Sequence, residues 1–63
     1  MQSIKEVSFS VYLINFGYVH SSYTSLVEAM DKAEDIGFEC NIIDNMNREN
    51  VATYSPIGGW RHY

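Results

Sequence analysis

One cysteine, Cys40, and one proline, Pro56, are all that this chain has of either. A lone cysteine excludes an intrachain disulfide and fits a reducing, cytoplasmic setting. Long apolar runs are missing as well. None approaches the roughly 20 residues a membrane-spanning helix needs, so no membrane partner is expected. The opening Met1-Gln2-Ser3-Ile4-Lys5-Glu6 carries one lysine and then strand-like alternation, which is not the pattern of a signal peptide. Positive charge is scarce: Lys5, Lys32, Arg48 and Arg61 are scattered against eight carboxylates, for a net charge of −4. Nucleic-acid binding through counterion release needs a concentrated basic surface, so its absence disfavours a nucleic-acid partner.

What is there is enough for one small globular domain spanning residues 1–63, with ordinary apolar content and five tyrosines. A chain of this length buries only about 60% of the surface its unfolded form exposes, so its core is marginal. Disulfides, a metal or a second subunit usually reinforce such a core. With the first excluded, self-association stays open as an expectation.

Val7 to Phe16 alternates with period two: Val7, Phe9, Val11 and Leu13 on one face, Ser8, Ser10, Tyr12 and Ile14 on the other. Gly17 supplies a turn residue, and Tyr18 to Tyr23 reads as the returning strand of a hairpin, with Val19, Ser21 and Tyr23 opposite Tyr18, His20 and Ser22. Ser25-Leu-Val-Glu28 is a capping box, in which the serine hydroxyl accepts from the Glu28 backbone N–H and the Glu28 carboxylate can reach back. Leu26, Ala29, Met30, Ala33 and Ile36 then recur at helical spacing, and Gly37 stands where a left-handed cap belongs. Twelve or so residues make about 18 Å of helix, enough to cross a small sheet. Phe38 to Ile43 alternates again, with Phe38, Cys40 and Ile42 on one side. Asp44 to Asn50 is a polar loop, Val51 to Tyr54 a short strand, and Pro56 ends regular pairing.

The fold class that follows is α+β: a small antiparallel sheet of about four strands, in β-β-α-β-β order, with one helix packed on one face. Residues 55–63 form a flexible or folded-back tail. The other face then carries Tyr12, Ile14 and Tyr54. These are either a contact surface or the apolar remainder that small proteins leave exposed.

Residues able to do chemistry are few, and no catalytic, cofactor or metal site is expected. Cys40 alternates with Phe38 and Ile42, which makes it a buried structural thiol; a reactive one needs an electropositive, accessible setting. His20 and His62 have no Cys or His partner at ligand spacing. Gly58-Gly59 is followed by no helix start and no lysine, so it is no phosphate loop. Glu28, Asp31, Glu34 and Asp35 lie off the apolar stripe of the helix. Glu34 and Asp35 occupy its last turn, where the dipole disfavours anions by a few tenths of a kcal/mol. Such a set is either a solvated face or an acidic surface offered to a basic partner. In the last segment, Trp60 and Tyr63 follow two glycines. Trp60 either closes the edge of the core or, with Arg61, anchors a partner.

Tyr23-Thr-Ser-Leu-Val-Glu-Ala29, Ala33, Gly37-Phe-Glu-Cys40, Ile42-Ile-Asp44, Val51-Ala-Thr-Tyr-Ser-Pro56 and Gly58-Gly-Trp60 cover most of the chain. Together they resemble the small uncharacterised proteins of tailed bacteriophages, marine and cyanobacterial phages among them. The resemblance implies a non-enzymatic accessory protein of the host cytoplasm that binds a host protein, such as a nuclease, transcription machinery or a CRISPR effector, and inhibits or redirects it. The resemblance carries over no functional residue; the residues themselves make Tyr12, Ile14 and Tyr54 of the open face, Trp60 and Arg61 of the tail, and Glu28, Asp31, Glu34 and Asp35 of the helix the expected contacts. The alternatives are a nucleic-acid binder stacking bases on Tyr12, Tyr18 or Tyr54, and a homodimer paired through the open sheet face.

Overall fold

The computed structural model describes residues 8–63. Val7, expected at the start of the first strand, lies outside the described residues, as do the six residues before it. The elements are β1 (Phe9–Leu13), β2 (Tyr18–Tyr23), α1 (Leu26–Ile36), β3 (Cys40–Asp44), β4 (Glu49–Ser55) and β5 (Gly59–His62). They form one antiparallel sheet in the order β2-β1-β3-β4-β5 with the helix on one face. The α+β class stands, with five strands in place of about four. Since β1 pairs antiparallel with both β2 and β3, those two run parallel one strand apart. α1 crosses over β1 to join them.

Packing follows from the alternation in β1. Val11 and Leu13 turn toward the helix with Cys40, Ile42 and Ala52 from β3 and β4; Ala29 and Ala33 meet them from above, and all seven are buried. Two alanines at the contact bring the helix backbone close to the sheet, so a short chain excludes water with few side chains. Phe9, Leu26, Met30 and Ile36 close the margins of this core.

The helix begins at Ser25, whose extended backbone (φ −121°, ψ 135°) lets its hydroxyl accept from the Glu28 N–H at 3.4 Å. Of the expected reciprocal box, the structure has this first half. Gly37 ends the helix in the left-handed region (φ 81°) and donates its N–H to the Ala33 carbonyl at 3.1 Å.

Four details differ from the sequence reading. β1 stops at Leu13, and Ile14 to Gly17 form a four-residue loop closed by Gly17 N–H to the Leu13 carbonyl at 2.8 Å, with Gly17 at φ 79°. Ile14 is thereby on the loop and not on the sheet face. In the β1–β2 pairing the register shifts between Val11 and Tyr12, which leaves His20 of β2 as the extra residue of a bulge. Tyr18, Ser21 and Tyr23 therefore oppose Leu13, Val11 and Phe9 on the helix side, which breaks simple alternation. The turn after β3 takes only Asn45 to Arg48, because Asp44 gathers it. Its carboxylate accepts from the Met46 N–H at 2.9 Å and from Asn47 Nδ2 at 3.1 Å, so β4 starts at Glu49. Finally, the expected tail holds the fifth strand: beyond a turn through Pro56, Ile57 and Gly58, Gly59–His62 pairs with β4 from Ser55 back to Ala52.

Candidate functional site

Trp60 lies on the helix side of the sheet, opposite Tyr54, with ring centroids 5.0 Å apart. Its indole Nε1 donates to Glu34 Oε2 at 2.8 Å, and the His62 ring stacks against it at 6.0 Å. The two readings of the tail thus resolve toward closure of the core. Glu34, poorly placed at a helix C-terminus, is offset there by an indole hydrogen bond.

Tyr54 was expected on the open face. It is instead on the helix side, paired with buried Cys40 and packed against the core. Ala52, the smallest residue of β4, faces the helix, and this sets the parity of Tyr54 two residues on. Val51 is the extra residue of a second bulge, between the Ile42–Ala52 and Ile43–Asn50 pairs.

Tyr12 is on the open face, half-buried, with its hydroxyl 3.9 Å from where a side chain at Gly17 would begin. The open face is chiefly polar. Thr53 Oγ1 donates to Asn41 Oδ1 at 2.7 Å, and Asn50 Nδ2 donates to Asn41 Oδ1 at 3.0 Å and to Thr53 Oγ1 at 3.2 Å. Toward the other end, Asn45 Nδ2 donates to Ser8 and Ser10 hydroxyls at 3.0 and 2.8 Å, and Ser10 shares a 2.9 Å bond with Ser22. Ser10 is buried by this bracket. Among the described residues no buried side-chain polar atom lacks a partner.

Glu28, Asp31 and Asp35 flank a shallow hollow with Tyr23 and Lys32. Lys32 Nζ is 3.8 Å from Asp35 Oδ2, an exposed pair of small energetic weight. Arg61 lies on the open face opposite Thr53 and lines a separate hollow.

Sequence reasoning missed a cluster at one end of the sheet. Phe16, in the β1–β2 loop, meets Phe38 edge-to-face at 5.3 Å and 85°, and Tyr18 at 6.3 Å. All three are about half exposed, at 54, 49 and 54% respectively. Phe38 was expected on the core face as the first residue of β3. That strand begins at Cys40, and the left-handed turn at Gly37 leaves Phe38 outside the sheet. The available signal was adjacency to glycine: Phe16 and Tyr18 flank Gly17, and Phe38 follows Gly37. Aromatic rings beside two chain reversals cannot reach the centre of so short a sheet.

Cys40 has no exposed surface, and its thiol donates to the Phe38 carbonyl at 3.2 Å. Burial raises its pKa above the usual thiol value, so it stays protonated near neutrality. His20 Nδ1 is 3.0 Å from Ser21 Oγ. Among the described residues no group of three His, Cys, Asp or Glu side chains is placed to hold a metal ion. None of their helices is long and apolar enough to cross a membrane.

These features define a five-stranded antiparallel α+β domain with an aromatic end, a polar sheet face and an acidic helix. No known protein family, curated protein or solved structure matches the chain.

Proposed function

We propose that this chain is a binding module whose partner is a protein, engaged through the aromatic end of the sheet. The observation that carries the reading is the exposed Phe16–Tyr18–Phe38 cluster. Rings that touch one another while half in water are organised before any partner arrives. Association therefore adds apolar burial at little further cost in side-chain order. Aromatic anchors of this kind dominate the energetics of protein interfaces. In this reading Glu28, Asp31 and Asp35 on the helix add charge steering toward a basic partner. The resemblance to phage accessory proteins makes that partner a host protein whose activity the module modulates.

Base stacking draws less support, since Tyr12, Tyr18 and Tyr54 do not share one face. A homodimer through the open face draws less too, because the polar side chains there already bond one another.

The test is capture from bacterial lysate at physiological salt with the wild type and a Phe16→Ser/Phe38→Ser variant whose circular dichroism matches it. We expect a defined protein, identified by mass spectrometry, to be retained by the wild type and lost by the variant. Equal retention by both, or none by either, would overturn the reading.

A further inference from the structure

At the β4–β5 edge of the sheet lies a hollow of about 300 Å³, lined by Thr53, Ser55, Gly58, Gly59, Arg61 and Tyr63 together with Trp60. Its shape follows from the β4–β5 pairing. Ser55 faces Gly59, and Thr53 faces Arg61, so Ser55 and Arg61 are diagonal neighbours on the open face. Gly59 sits at φ 82°, a conformation that favours glycine, and nothing lies within 4 Å of where its side chain would begin. The missing side chain leaves the space between Ser55 and Arg61 open.

The polarity of that space follows from counting protons. Ser55 Oγ accepts from the Ile57 and Gly58 N–H groups, each at 3.3 Å, so its own hydroxyl proton is free. Thr53 has committed its proton to Asn41, so in the 3.3 Å Thr53–Tyr63 contact the tyrosine is the donor. Arg61 has no carboxylate within ion-pair distance among the described residues, which leaves its guanidinium donors unused by charge. In a chain with eight Asp and Glu side chains and a net charge of −4, none of those side chains lines this hollow. It offers a fixed-charge donor and a free hydroxyl proton, with no acidic side chain among its lining residues.

We propose that the hollow over Gly59 is a binding site for a single oxyanion of the phosphate type, held by the Arg61 guanidinium and the Ser55 hydroxyl with Tyr63 as a side wall. It is independent of the aromatic end, and either assignment can fail without the other.

The test is an ¹⁵N-resolved NMR titration of the full chain with inorganic phosphate, O-phosphoserine and acetate, at constant low ionic strength set by chloride. Saturable shifts confined to the amides of residues 55–61 are expected with the phosphate ligands. Tighter binding of phosphoserine identifies a phosphate carried on another molecule, and equal binding identifies free phosphate. Arg61→Gln is expected to weaken the affinity by about tenfold or more, the size of a lost charge-assisted hydrogen bond, and Ser55→Ala by less. Neither should move the resonances of Val11, Ile42 or Ala33. Shifts that do not saturate or that spread over the surface, acetate binding as tight as phosphate, or Arg61→Gln titrating like the wild type would overturn the assignment.

Discussion

Two neighbouring rows of side chains cross all five strands, one residue apart in register, and they behave oppositely. The row Tyr18–Leu13–Cys40–Tyr54–Trp60 faces the helix side. The row Val19–Tyr12–Asn41–Thr53–Arg61 faces away from it. The first is apolar and aromatic, buried at its centre, and its one strong polar link is the indole bond to Glu34. The second has no helix above it, yet at its centre Asn41 and Thr53 bond to each other and to Asn50 and Tyr63. An uncovered sheet face therefore need not be a sticky one. The clustered exposed aromatic surface is instead at the end of the sheet, where Phe16 and Phe38 extend past the last paired residues.

The contrast is broken most severely from the apolar row. Leu13→Ala should cost about 2–5 kcal/mol, the range for deleting a buried leucine side chain. In a domain whose core supplies only a few kcal/mol, that leaves much of the population unfolded; urea denaturation followed by far-ultraviolet circular dichroism measures it. From the polar row, Asn41→Ala should cost about 1 kcal/mol. It removes the acceptor shared by Asn50 and Thr53, but water reaches these half-buried groups and replaces part of what is lost. A cost equal to that of Leu13→Ala would mean that the open face is as integral to folding as the core.

The smallest effect concerns Cys40 and is confined to alkaline pH. Its thiol pKa is raised by burial in the folded chain. The unfolded chain therefore releases this proton first as pH climbs past the ordinary thiol value. Folded-state stability should be flat with respect to this group below that value and decline above it, until pH passes the raised folded pKa. Comparing pH–stability profiles of the wild type and Cys40→Ala isolates the contribution, since tyrosine ionisation is common to both. An identical alkaline slope in the two proteins would show that the thiol is not protected by the fold.

Much of the fold was legible because local rules agreed. The capped helix came from Ser25, Gly37 and the alanine-containing stripe, and β2 matches its expected span because Gly17 and the helix cap bound it on both sides. β5 was hidden. It is four residues long, begins at a glycine, follows a proline turn, and its alternation sets Trp60 and His62 against glycine and arginine, which carries no apolar period. The candidate surface was legible in part. Aromatic contact residues were expected, but Tyr54 and Trp60 are drawn into the core margin, while Phe16, Tyr18 and Phe38 form the exposed cluster.

The sequence by itself determined the class of the protein: one helix, alternating strands, a core of small and branched side chains, and no cysteine pairing. These depend on periods of two and 3.6 residues and on cap chemistry, which act over a few neighbouring positions. Only the tertiary structure decided which aromatics are buried and which bond stabilises Glu34 at a helix end. Each depends on partners far apart in the chain, Trp60 with Glu34 and Phe16 with Phe38 among them. Two bulges, at His20 and Val51, also change the facing of residues beyond them. No local pattern encodes an inserted residue of that kind, because its position is set by how neighbouring strands pair.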